Sequence, residues 1–114
     1  TTHHQPLNTE LKVVEFEQAA FGSIGLEAGF GVLNTLLPLE KIIALLTKSR
    51  RLFQLEEPTI VEGAKANLTL FSPNGSGKFS SENILSSSKN CAFINHPTQG
   101  KVWGTLLGEK ASLL

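Results

Sequence analysis

The sequence changes character at Glu56-Glu57-Pro58, and this break constrains the fold more than any other feature. Before it, apolar residues recur at helical spacing: Leu26, Phe30, Leu33 and Leu37, then Leu39, Ile42, Ile43 and Leu46. After it no helical period is sustained, and short β-rich runs alternate with clusters of Gly, Pro, Ser and Asn. The chain therefore reads as α/β followed by β, with a helical part over residues 1–55 and a stranded part over residues 56–114. Its 114 residues suffice for one domain.

In the first part, residues 8–20 mix charges with apolar residues and predict a loop or a short irregular helix. Gly29 and Gly31 weaken the first helix by ~1 kcal/mol each relative to Ala, and their missing side chains allow close packing on a strand. Pro38 breaks that segment and suits the first turn of a second helix. Arg50 to Leu55 predicts a further short helical turn. In the second part, Thr59-Ile60-Val61, Leu68 to Phe71, Lys101 to Leu107 and Lys110 to Leu114 read as strands. Glu62-Gly63-Ala64 and Pro73-Asn74-Gly75-Ser76-Gly77 read as turns, residues 80–90 as an irregular loop, and Gly108-Glu109 as a tight hairpin. Such strands are few for an independent sandwich.

Candidate chemistry gathers in Thr1 to Glu27. Thr1-Thr2-His3-His4-Gln5-Pro6-Leu7 is a polar strand end, since Pro6 fixes its own φ and pushes Gln5 toward extended geometry. Adjacent side chains on a strand point to opposite faces, so His3 and His4 share a pocket only if the backbone bends there. Phe21-Gly22-Ser23-Ile24-Gly25-Leu26-Glu27 then forms a Gly-punctuated loop into a helix. A strand end, a Gly-rich loop and a helix start, in that order, are how an α/β barrel builds one rim of its active site.

Thr2-His3-His4-Gln5-Pro6-Leu7 resembles the end of the last barrel strand in dihydroorotases of the amidohydrolase superfamily, where the usual text is Thr-Asp-His-Ala-Pro-His. Phe21-Gly22-x-x-Gly25-Leu26-Glu27 resembles the family's substrate-loop motif. Arg50-Arg51-Leu52-Phe53, Gly63-x-x-Ala66-Asn67-Leu68, Ser88-Lys89-Asn90 and Gly100-Lys101-Val102 resemble later segments of the same family, in the same order. The resemblance implies the C-terminal remnant of a TIM-type amidohydrolase barrel in residues 1–55. Residues 56–114 would then be the C-terminal part of a small β-sandwich domain whose other strands lie elsewhere. The sequence has no methionine, so Thr1 is not expected to be where the natural product begins.

The family reversibly cyclises N-carbamoyl-aspartate to dihydroorotate in pyrimidine synthesis, using a metal-activated hydroxide on a cyclic amide. The resemblance makes His3 the candidate metal ligand and catalytic residue, because the family aspartate at that position binds metal and acts as general base. Imidazole can ligate zinc and can act as a base, but it brings no negative charge to the site. Most zinc ligands are expected upstream of Thr1, so the chain alone is expected to be inactive. Phe21, Gly22 and Gly25 are the candidate substrate-binding residues, since Gly lets backbone groups approach a planar amide. Leu7 stands where the family has a histidine that holds the substrate carboxylate, and leucine donates no hydrogen bond. These two departures support an alternative, a non-catalytic homologue acting as structural partner of aspartate transcarbamoylase. An allantoinase or hydantoinase is a third possibility. Glu27 is expected to serve the helix dipole.

The remaining signals exclude more than they suggest. The formal net charge is zero, which gives no support to a nucleic-acid or membrane-surface partner. No apolar run reaches the ~18 residues of a membrane span, and the N-terminus has no signal pattern. The single cysteine, Cys91, fits a reducing cytoplasm and carries no mark of an activated nucleophile. Gly75-Ser76-Gly77-Lys78 fails as a phosphate loop, because Ser72 replaces its first Gly and Phe79 its Ser/Thr. Arg50-Arg51 reads as a solvated face or an inter-domain contact, and Trp103 as a packing residue. A homo-oligomer is expected, because the two apolar helix stripes would otherwise stay exposed.

Overall fold

The computed structural model describes residues 2–114. Two short 3-10 turns, Thr9–Leu11 and Phe16–Gln18, lead into three helices, α1 (Leu26–Leu36), α2 (Leu39–Thr47) and α3 (Ser49–Leu52). Three strands follow, β1 (Asn67–Lys78), β2 (Pro97–Leu107) and β3 (Lys110–Leu113), with a 3-10 turn at Ser81–Asn83 between the first two. The strands form one antiparallel sheet in the order β1-β2-β3. The fold is thus a small α+β arrangement in which α1 packs on β2. Among the described residues no helix is long and apolar enough to cross a membrane.

The helices follow the apolar spacing, and Pro38 sits at the N-cap of α2, one residue before its first turn. The face Leu39, Ile42, Ile43 and Leu46 is only partly covered: Ile42 is fully buried, while Ile43 and Leu46 remain exposed. The Gly108-Glu109 hairpin forms as expected, pairing Leu107 with Lys110.

Two local expectations are overturned. Thr59-Ile60-Val61 is not a strand; the segment is irregular and exposed, and none of the described strands pairs with it. Pro73 to Gly77 does not end a strand either, since β1 continues to Lys78. The turn-forming residues are absorbed by a bulge: Ser72 pairs with Lys101, but the next pair is Ser76 with Gln99. Asn34 of α1, only 8 % exposed, supports this bulge. Its amide donates to the carbonyl oxygens of Pro73 and Gln99 at 2.9 and 3.0 Å, partners that the interrupted ladder does not supply. Gly100 lies opposite the bulge with φ +79°, and a Cβ there would stand 2.5 Å from Ser72 O and 2.9 Å from Asn34 Nδ2. Only glycine fits that approach.

The core joins the two parts of the sequence. Ile24 and Ala28 pack with Phe79 and Ile84, flanked by Val32, Cys91, Phe93 and Ile94. Phe30 of α1 meets Phe71 of β1 edge to face, with centroids 5.1 Å apart. Trp103 is half exposed on β2 and carries Lys101 Nζ over its ring at 4.3 Å.

Candidate functional site

The strand end, the glycine loop and the start of α1 come together as one unit. His4 and Ser23 form a parallel bridge, and Gln5 N–H donates to Ser23 O at 3.0 Å. Ile24 forms a second parallel bridge with Cys91, and its N–H donates to Asn90 O at 2.9 Å. Asn90 Nδ2 donates to Gly22 O at 2.9 Å, and Ser88 Oγ to Leu7 O at 2.6 Å. The segment 88–91 therefore holds the loop and the strand end from behind.

The predicted site residues divide into two groups. Gly22 and Gly25 lie against the strand end. Gly22 has φ +132°, and a Cβ there would fall 2.4 Å from Gln5 Oε1 and 2.9 Å from Gln5 Cβ. Gly25 is buried, with Thr2 O 3.2 Å from where its Cβ would be. His3 and Phe21 are exposed, Phe21 to 95 %. The backbone does bend at the histidine pair, through φ +46° at His3, and it turns His4 rather than His3 into the structure.

His4 was the residue without a role in the sequence, and here it organises the rim. It is 20 % exposed. Its Nδ1 accepts from the N–H groups of Gly25 and Leu26, both at 3.2 Å, and so caps the start of α1. Its Nε2 lies 3.3 Å from Ser86 Oγ. Ser86 in turn reaches Glu27 Oε1 through both its hydroxyl and its backbone N–H. Burial alone pushes the Glu27 carboxyl up, but hydrogen bonds from the Ser86 hydroxyl, from the Glu27 backbone N–H and from Ser86 N–H bring it below its ordinary value. Two signals in the sequence marked His4, its place beside His3 and its match to the histidine of the resembling motif; Ser86 had none.

A zinc centre needs several ligands on one side. Among the described residues no group of three or more His, Cys, Asp and Glu could hold a metal ion.

No family model matches the chain. Individual curated proteins do, and they place this α+β segment within one enzyme family. It is 29 % identical to a dihydroorotase of Pelotomaculum thermopropionicum over 114 residues, which is 94 % of this chain and 27 % of that protein. It is 38 % identical to one of Caldicellulosiruptor saccharolyticus over 82 % of this chain and 24 % of that protein. With one of Elusimicrobium minutum the identity is 32 %, over 98 % of this chain and 28 % of the relative. The chain belongs to the dihydroorotase family and spans about a quarter of the length of the curated relatives it matches.

Proposed function

We propose that this chain is the C-terminal part of a dihydroorotase, a hydrolase that reversibly opens dihydroorotate to N-carbamoyl-aspartate in pyrimidine biosynthesis. The observation that carries this reading is the similarity to dihydroorotases over nearly the whole chain. Residues 1–55 serve as the end of the TIM-type barrel, and the parallel bridge between His4 and Ser23 supports that assignment, since parallel pairing is how such barrels are built. Residues 56–114 serve as part of the small β domain.

Within that enzyme the backbone of the Phe21–Gly25 loop orients the planar amide, and exposed Phe21 covers it. His3, at the strand end, takes up the proton of the attacking water. Most ligands of the zinc expected of the family would come from the longer protein, with His3 as the candidate ligand of this chain. The enzyme works in the cytoplasm as a homo-oligomer, with aspartate transcarbamoylase as a candidate partner, and the 114-residue chain alone is inactive.

The test is dihydroorotate hydrolysis by the longer protein, with zinc counted in the same sample. Metal-dependent turnover, lost in the 114-residue chain, is the expected result. Metal-free protein without turnover would overturn the reading and turn attention to a structural role beside aspartate transcarbamoylase.

A further inference from the structure

Both ring nitrogens of His4 have partners, and those partners decide where its proton sits. The Gly25 and Leu26 N–H groups facing Nδ1 can only donate, so Nδ1 presents a lone pair. The Ser86 hydroxyl has one proton, and it goes to the Glu27 carboxylate, which can only accept. Ser86 Oγ is left as an acceptor toward His4, so Nε2 carries the ring proton. Glu27 Oε2 stands 3.8 Å from Nδ1, near enough for an ion pair. A nitrogen already occupied by two amide donors has no proton to give it, however, and Oε2 has no hydrogen-bond partner among the described residues. The chain of donors runs from His4 Nε2–H to Ser86 Oγ–H to Glu27 Oε1. One neutral tautomer satisfies it.

We propose that Ser86 and Glu27 are positioning residues. They hold His4 as the Nε2–H tautomer, so that Nδ1 caps the Gly25 and Leu26 amides and sets the Phe21–Gly25 loop against the strand end. The consequence for substrate rests on the proposed reading of that loop, whereas the tautomer and the cap do not. Ser86 comes from the loop between β1 and β2, so a residue of the β part sets the geometry of the rim.

Long-range proton–nitrogen NMR of the 114-residue chain reports the tautomer, and hydrogen exchange at Gly25 and Leu26 reports the cap. The wild type is expected to show an unprotonated Nδ1. Ser86→Ala and Glu27→Ala should spread His4 over both tautomers and speed exchange at the two amides about fivefold, the factor for one net hydrogen bond of about 1 kcal/mol. Ser86→Thr keeps the hydroxyl and should restore both signals; a purely space-filling role for Ser86 would leave the tautomer unmoved. A protonated Nδ1 in the wild type, or unchanged tautomer and exchange in both alanine variants, would overturn the proposal. If the alanine variants fail to fold, Ser86→Cys carries the test: its weaker hydrogen bonds should speed exchange at Gly25 and Leu26, and unchanged exchange would overturn the proposal. Absence of dihydroorotate turnover in the longer protein would remove the functional reading and leave the tautomer result standing.

Discussion

Replacing Asn34 tests whether the helix and the sheet are joined as described. The Asn34 amide spends both of its protons on carbonyl oxygens of the bulge, Pro73 O at 2.9 Å and Gln99 O at 3.0 Å. Each net hydrogen bond is worth about 1 kcal/mol, so Asn34→Ala should cost about 2 kcal/mol. Pro73 O keeps only a long contact from the Gln99 side chain at 3.5 Å, which softens the loss little. Asn34→Asp changes no volume but sets a carboxylate against two carbonyl oxygens. Its cost should exceed that of the alanine by roughly 1–3 kcal/mol at neutral pH. Protonating the new Asp restores one donor, so acid should narrow that gap. Urea unfolding reads the order directly: with a slope of about 2 kcal/mol per molar, the Asn34→Ala midpoint should fall by roughly 1 M. An Asn34→Asp protein as stable as the wild type at pH 7 would refute the bonding scheme.

Two further expectations follow from the same geometry. Glu27 has a lowered carboxyl value, so its stabilising contribution is complete above the ordinary value of 4.5 and fades as pH falls through the lowered one. The stability difference between wild type and Glu27→Gln, followed by urea unfolding across acid pH, should therefore shrink in that window; a difference independent of pH would contradict it. The chain should also self-associate, because Phe16 at 94 % exposure, Phe21 and Phe53 leave large apolar surface uncovered, alongside Leu26, Ile43 and Leu46. Light scattering that stays monomeric across concentration would argue against this.

The helices were legible because their signal is local. Leu26, Phe30 and Leu33 repeat at one helical period, and Pro38 separates α1 from α2 whatever lies around them. The hairpin at Gly108-Glu109 was legible for the same reason. The length of β1 was not, because Pro73-Asn74-Gly75 carries the chemistry of a turn and only Asn34, from another element, lets it pass as a bulge. Thr59-Ile60-Val61 has strand-forming side chains but lacks a neighbour, which no local pattern reveals. The special backbone of the glycine loop was legible, since Gly22 holds a conformation that other residues rarely adopt. The organising role of His4 was missed because it depends on Ser86, and no local spacing links the two. Glu27 was assigned to the helix start alone, whereas its carboxylate also holds Ser86.

The span between His4 and Ser86 also sets a timetable for synthesis. These residues stand 82 positions apart. At about 5–20 residues per second, a ribosome needs roughly 4–16 s to travel from one to the other. For most of that interval Ile24 and Ala28 have been made and Phe79 and Ile84, their packing partners, have not. Helix α1 must wait in an unfinished state, with its first amides uncapped from the Ser86 side and its buried face open to other chains or to chaperones. The nascent chain is thus most vulnerable just before Phe79, Ile84 and Ser86 leave the ribosome.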